Sequence, residues 1–293
     1  MMEMILDGRN TLGEGVLWCE RSARVLWTDI AQSVLFACAA DGSALQFWKL
    51  PERLCSFALT ERRDRLLLAL ATRLAFFDLE SGVLTPICAV EAELPSTRLN
   101  DGRCDRQGRF VFGSFNQDED PKLPVGGFYR LNHDLSLEPL PLGGVAIANS
   151  ICFSPDGATM YYADSAKGEI RCCDYDPASG AVSGDRLFVA VGVAPGDPDG
   201  AAIDAEGCLW SARWGASQVA RFTPDGRLDR VLELAAPQPS CPAFGGPGLD
   251  QLFVTSARVG LSAQQLAQAS LSGALFSQVL AVRGLPEVRF RHY

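Results

Sequence analysis

Short apolar segments recur along the chain, and each follows a polar turn. They begin at Arg24, Arg65, Arg109, Thr159, Cys208 and Gln251. Another apolar segment lies just before each turn. A third segment follows the one that starts after the turn, and a fourth often completes the set. The segments are rich in Val, Leu, Phe, Tyr and Trp, which suit the half-buried face of a β-sheet, and the turns carry the Gly and Asp residues that hairpins favour. The pattern predicts four antiparallel strands, repeated six times.

Four short strands per repeat, at a period of roughly 40–50 residues, are typical of a β-propeller. We therefore predict an all-β fold, a six-bladed β-propeller of four-stranded antiparallel blades, as a single domain over residues 1–293. The segment at residues 4–8 is predicted to be a spare strand beside the last blade, where it protects a sheet edge. The clearest helical pattern, at residues 261–268, is too short for a doubly wound α/β fold.

The charge of the chain narrows the choice of partners. There are 26 Lys and Arg residues against 35 Asp and Glu residues, a net charge of −9. Because the basic residues are scattered, we expect neither a nucleic acid nor an anionic membrane partner. No segment reaches the ~20 apolar residues of a transmembrane helix, and the N-terminus does not resemble a signal peptide. We expect a cytoplasmic protein that is a monomer or a weak homo-oligomer.

Histidine is scarce, since the chain has only His133 and His292. Two histidines cannot form a three-histidine zinc site. The ten cysteines are dispersed without a Cys-x-x-Cys motif, so we expect reduced structural thiols. Any catalysis should therefore depend on carboxylates or on a metal ion held by oxygen atoms.

The repeat also aligns one position that lies nine or ten residues before the start of each second strand. In a propeller the first strand of each blade lines the central channel. The residues at this position are Glu14, Cys55, Asn100, Asn149, Asp199 and either Cys241 or Pro242. Four of these residues have oxygen atoms in their side chains, and the sequence around each of the four is typical of loops. Two carboxylates and two amides suit one hard divalent cation, with Ca, Mg or Mn as natural choices. Zn and Fe(II) remain open.

The aligned positions can also have a purely structural role. The Asn-Asp-Gly motif at residues 100–102 and the Pro-Asp-Gly motif at residues 198–200 also occur as simple turns. We interpret Cys55 and Cys241 as buried thiols of the channel wall, because no histidine is evident that could activate them.

Five ordered segments carry a family resemblance. They are LGEGVLW at 12–18, RLNDGRCDRQGRFVFGS at 98–114, ANSICFSPDG at 148–157, DPDGAAIDAEGCLW at 197–210 and AFGGPGLDQLFVTSAR at 243–258. In these segments the chain resembles the SMP-30/gluconolactonase/LRE family. The resemblance implies a six-bladed propeller with one divalent metal ion, whose ligands are Glu14, Asn100, Asn149 and Asp199. Ser150 is a departure, because the family usually has glycine there.

The resemblance further implies the hydrolysis of a sugar lactone to the aldonic acid. The metal would act as a Lewis acid on the lactone carbonyl, and Asp199 would be the general base. Arg98 and Asn100 would contact the sugar, together with Asp118 or Glu119 from a polar lid at residues 116–126.

Two rival functions belong to other classes. One is a non-catalytic propeller that binds calcium or senses a sugar acid, and it predicts metal affinity without turnover. The other is an interaction scaffold of the WD or kelch type, against which four aligned oxygen donors argue. The sequence does not choose among gluconolactone, arabinonolactone, xylonolactone and galactonolactone.

Overall fold

The computed structural model describes residues 1–118 and 121–292. These ranges contain 24 strands, the α-helix α1 (Ala263–Gln268) and a 3-10 turn at Ser165–Lys167. The strands are β1 (Glu3–Leu6), β2 (Gly13–Cys19), β3 (Arg24–Asp29), β4 (Val34–Cys38), β5 (Gln46–Lys49), β6 (Leu54–Leu59), β7 (Arg65–Leu70), β8 (Arg73–Asp78), β9 (Leu84–Ala89), β10 (Thr97–Cys104), β11 (Phe110–Asn116), β12 (Phe128–Leu131), β13 (Leu137–Pro139), β14 (Ala148–Phe153), β15 (Thr159–Asp164), β16 (Glu169–Tyr175), β17 (Val182–Val189), β18 (Asp197–Ile203), β19 (Leu209–Trp214), β20 (Gln218–Phe222), β21 (Leu228–Glu233), β22 (Pro239–Gly245), β23 (Gln251–Ser256) and β24 (Leu275–Val279).

The strands form six four-stranded antiparallel blades, which confirms the predicted fold class of a six-bladed β-propeller. Blades one to five take their strands in sequence order, from β2–β5 to β18–β21. Blade six consists of β22, β23, β24 and, at its edge, the N-terminal strand β1. The spare strand is thereby confirmed: Glu3 pairs with Ser277 and Met4 with Phe276. Each second strand begins within one residue of its predicted start.

The elements divide into two compact units. The first contains Met1–Arg53 and Val191–Glu287, and therefore blades one, five and six. The second contains Leu54–Ala190 with the C-terminal segment from Val288, and therefore blades two, three and four. In the second unit this segment is held by Phe290, whose backbone N–H donates to the carbonyl of Leu59 at 2.7 Å.

Within each unit the core lies between neighbouring blades. In the first unit, Trp18 of β2 stacks on Phe253 of β23, at a centroid distance of 6.1 Å. In the second unit, Phe128 of blade three meets Tyr162 of blade four edge-on at 5.1 Å. Burial of aromatic and aliphatic side chains on facing sheets is the main favourable term in such packing.

All ten cysteines are thiols outside any disulfide bond, and Cys55 and Cys241 are buried. The predicted helical segment is confirmed as α1, where Ser262 and Gln265 form a reciprocal capping box. In the part of the chain that is described, no helix has the length and apolar content needed to span a membrane.

The first strand of every blade carries an irregularity in its pairing with the second strand. The irregularities lie between Glu14 and Leu17, Leu54 and Ser56, Leu99 and Gly102, Asn149 and Cys152, Pro198 and Ala201, and Pro239 and Pro242. The six aligned positions of the sequence all fall at or inside these bulges. A bulge bends its strand and re-aims a side chain, so the alignment corresponds to a repeated backbone feature.

Candidate functional site

The first unit holds the two candidate carboxylates. Glu14 is at the start of the bulge in β2, and its Oε2 accepts a 3.1 Å hydrogen bond from the backbone N–H of Gly15. Asp199 is buried inside the bulge of β18. Strands β2 and β18 both pack against β22. A Cβ atom at Gly200 would meet the Sγ of Cys241 at 2.8 Å, so glycine is what allows β18 to approach β22 this closely.

The second unit brings three predicted residues into contact. The Nδ2 of Asn100 donates to the Oδ1 of Asn149 at 3.1 Å and to the backbone carbonyl of Ala148 at 2.7 Å. The Nη1 of Arg98 donates to the Oδ1 of Asn100 at 2.6 Å. All three predicted residues are buried. Asn100 and Asn149 lie 49 positions apart in sequence, so only the packing of blade three on blade four joins them.

The loop-like contexts expected for these residues are wrong. The Asn-Asp-Gly motif lies inside β10 and the Pro-Asp-Gly motif inside β18, so neither is a simple turn. Their glycines serve close packing, because a Cβ atom at Gly102 would meet the Cβ of Phe112 at 2.7 Å. Gly and Asp in a strand interior mark bulges here rather than strand ends.

The two amides fit a role as cation ligands. The Nδ2 atoms are occupied by acceptors, since that of Asn149 donates to the Oγ of Ser165 at 2.8 Å and that of Asn100 donates to Ala148. Each Oδ1 accepts one hydrogen bond among the described residues and has a second lone pair. The oxygen is therefore the atom that each amide offers to a hard cation.

Two aspartates that the sequence analysis missed hold the chain just ahead of the candidate ligands. Asp29, at the end of β3, accepts hydrogen bonds from the backbone N–H groups of Thr11 at 2.7 Å and Leu12 at 3.1 Å. Asp164, at the end of β15, accepts from Ala146 and Ile147 at 3.1 and 3.0 Å. The signal was present as an aspartate that ends the second strand of blades one and four.

Arg213 holds the corresponding segment of blade five. Its guanidinium donates to the backbone carbonyls of Ala194, Pro195 and Gly196, which precede β18. Burial lowers the pKa of Arg213 to about 10, so the side chain stays cationic at neutral pH. Its Nη1 is buried and has no hydrogen-bond partner among the described residues.

The two candidate acids of the lid are Asp118 and Glu119. Asp118 is exposed, and its backbone N–H donates to the Oδ1 of Asn116 at 3.0 Å. Glu119 lies outside the described residues. The lid base is anchored by Glu91, whose Oε1 accepts from the N–H of Gly127 at 3.0 Å and from the hydroxyl of Tyr129 at 2.8 Å.

A separate acidic group contains Asp204, Glu206 and Cys208, whose ligand atoms lie within 4.8 Å of one another. Arg221 already pairs with Asp204 at 2.7 Å and with Glu206 at 2.5 Å. The indole N–H of Trp210 also donates to Asp204, at 2.9 Å. This group therefore belongs to an ion-pair network that ties the turn before β19 to β20, and Arg221 already engages both of its carboxylates.

Comparisons with known proteins agree with this architecture. A model of the SMP-30/Gluconolactonase/LRE-like region matches residues 12–258. The chain is 52% identical to an L-arabinolactonase of Azospirillum brasilense over 98% of this chain and 94% of that protein. It is 30% identical to regucalcin of Danio rerio, over 97% of this chain and 96% of that one. Among solved structures, a calcium-binding regucalcin of Agrobacterium tumefaciens superposes with a TM-score of 0.93, at 30% identity, over 99% of this chain and 97% of that chain.

Proposed function

The chain belongs to the SMP-30/gluconolactonase/LRE-like family, and we propose that it hydrolyses a sugar lactone to the aldonic acid with the help of one divalent cation. The 52% identity to an L-arabinolactonase over almost the full length carries this proposal. A lactone of arabinonic acid is therefore the first substrate to test. Relatives named as sugar lactonases support the wider reaction class.

We assign the cation ligands to Glu14, Asn100, Asn149 and Asp199. The assignment is supported by their shared place at the bulges of four first strands and by the amide orientations of Asn100 and Asn149. Two carboxylates would balance the charge of a divalent ion. Ca, Mg, Mn, Zn and Fe(II) are the candidates, and the regucalcin neighbour described as calcium-binding places Ca first in the test.

The residues have distinct parts in the proposed reaction. When bound, the cation supplies Lewis acidity toward the lactone carbonyl and acidifies water. Asp199 accepts a proton from the attacking water, whose oxygen bonds to the carbonyl carbon while the bond from that carbon to the ring oxygen breaks. The ring oxygen takes up a proton and becomes a hydroxyl of the open-chain acid. Arg98 donates a hydrogen bond to a substrate oxygen, Asn100 contacts the sugar, and a lid carboxylate, Asp118 or Glu119, accepts from a sugar hydroxyl.

Acid release at constant pH measures the proposed activity directly. We expect turnover of an arabinonolactone above its spontaneous hydrolysis in the presence of one of the five cations, with gluconolactone, xylonolactone and galactonolactone as comparisons. We expect Asp199→Asn to lower kcat at least ~10²-fold, because it removes the base and the negative charge of one cation ligand. Asp134→Asn, at an exposed turn aspartate, is the matched control. Full activity of Asp199→Asn would refute the assigned role.

A propeller that binds calcium without turnover is the second candidate, and the structural likeness to a calcium-binding regucalcin favours it. It predicts cation binding by calorimetry together with no acid release from any lactone and cation pair. That combined result would replace the lactonase proposal.

A further inference from the structure

Two cationic side chains of the second unit meet at one aromatic ring. The guanidinium carbon of Arg98 lies 4.3 Å from the ring centroid of Phe115. The ammonium of Lys122, from the lid, lies 4.7 Å from the same centroid. Phe115 pairs with Arg98 across β10 and β11. The two charges are therefore within about 9 Å of each other, although like charges repel.

Neither cation forms an ion pair with a described residue. Toward the residues that the structure describes, Arg98 forms hydrogen bonds through Nη1, which donates to the carbonyl of Leu99 and to the Oδ1 of Asn100. The ammonium of Lys122 donates one hydrogen bond, to the carbonyl of Asn116 at 3.0 Å. Its two other N–H groups can donate to a ligand. Other arginines of this unit are paired, as Arg109 is with Asp105 and Arg171 with Asp185. In a chain with nine surplus acidic charges, two neighbouring cations without an ion pair to any described residue indicate a place for an external anion.

The lid also folds Lys122 inward. Its neighbours Leu123 and Val125 are exposed at 55% and 40%, whereas Lys122 is half-buried. An ammonium is strongly hydrated, and its partial burial beside a second cation is unfavourable unless a ligand repays the lost hydration. The ring of Phe115 offsets part of this cost through its quadrupole, and an anion would offset more.

We propose that Arg98 and Lys122 form a subsite for the carboxylate of an open-chain sugar acid, in which Lys122 is a product-binding residue. This inference rests on the proposed lactone hydrolysis, which turns a neutral ester into a carboxylate. The charge of Lys122 favours the anion over the neutral lactone, so Lys122 affects retention of the product more than capture of the substrate.

The test compares Lys122→Gln with Lys122→Arg and with Lys49→Gln. Lys49 is an exposed lysine of β5, and its substitution removes the same charge. Arabinonate and gluconate are titrated against each protein by calorimetry, and each is measured as an inhibitor of turnover. We expect Lys122→Gln to weaken sugar-acid binding at least about tenfold, with KM for the neutral lactone changed less than about twofold. Lys122→Arg should retain most of the affinity, and Lys49→Gln all of it.

Salt adds a readout that a purely structural role would not change. Sugar-acid affinity of the wild type should fall with added NaCl more steeply than that of Lys122→Gln, because one fewer charge is screened. Unchanged sugar-acid affinity in Lys122→Gln, or equal losses in KM and in acid affinity, would overturn the proposal and leave Lys122 as a lid contact. Calorimetry needs no turnover, so Lys122-dependent acid binding without any lactonase activity would reject the proposed function while the subsite stands.

Discussion

At the scale of single residues, the backbone is strained at Ser150, inside the bulge of β14. Ser150 follows the candidate ligand Asn149 and has a φ of 56°, close to the 58° of Gly15, which follows Glu14. An L-residue in this left-handed region costs roughly 1–2 kcal/mol, whereas glycine adopts it freely. This chain therefore has serine at a position where glycine would be relaxed.

A matched pair of substitutions isolates that strain. Ser150→Gly and Ser150→Ala both remove the hydroxyl, but only glycine relaxes the backbone at φ 56°. We expect the glycine variant to be more stable than the alanine variant by about 1 kcal/mol. Urea denaturation of both proteins measures the difference, and equal free energies of unfolding would show that the left-handed backbone carries no cost here.

At the scale of elements, several blades hold the segment before the first strand by a polar side chain near the end of the second strand. Asp29 and Asp164 bind backbone N–H groups in blades one and four, and Arg213 binds backbone carbonyls in blade five. A charged group that makes two or three hydrogen bonds to one segment fixes the start of the following bulge. The aspartates are negatively charged because their segments present backbone N–H groups, and Arg213 is positively charged because its segment presents backbone carbonyls.

Asp164 accepts two hydrogen bonds from the backbone of Ala146 and Ile147, and we call this pair of bonds the Asp164 clamp. A substitution that keeps the shape of the side chain can weaken it. Asp164→Asn replaces one of the two acceptor oxygens with an amide donor that faces a backbone N–H. We expect a loss of about 2–3 kcal/mol in the free energy of unfolding, and a fall in kcat larger than that of the control Asp134→Asn. Thermal and urea denaturation with the acid-release assay measure both. Wild-type stability of Asp164→Asn would mean that the clamp does not hold this segment.

At the scale of the whole molecule, a bound cation should couple function to stability. The proposed ligands lie far apart in the sequence, from Glu14 to Asp199. A ligand that binds the folded chain alone stabilises it by mass action, by about 2.7 kcal/mol at 100 times Kd. The chain is acidic, with a net charge of −9, so a divalent cation also relieves part of its self-repulsion.

Removal of the cation tests this coupling. We expect chelation to lower Tm and abolish acid release, and re-addition of the preferred cation to restore both. In Glu14→Gln the rise in Tm on cation addition should be much smaller, because a carboxylate ligand is lost. Asp204→Asn serves as a comparison, since Asp204 is already paired with Arg221 and its substitution should affect stability without altering the cation-dependent rise. An equal rise in Glu14→Gln and wild type would contradict the ligand assignment.

Much of the fold could be predicted because it repeats. The alternation of apolar strands and polar turns is local, so second strands such as β3, β7 and β23 start where the pattern places them. The repeat position also selected Asn100 and Asn149, which the structure joins by a hydrogen bond. The prediction of one domain and the ligand roles of the four oxygen-bearing residues stay predictions.

The sequence by itself determined the number of blades, the strand that completes the last blade, and the polar residues at the bulges, because these follow from local period and residue type. Only the tertiary structure decided that the Asn-Asp-Gly and Pro-Asp-Gly motifs are bulges within strands and that Asp29 and Asp164 act as clamps. It also decided that Lys122 reaches Phe115 beside Arg98. These features depend on register and on side chains from distant segments, whose contacts no local pattern encodes.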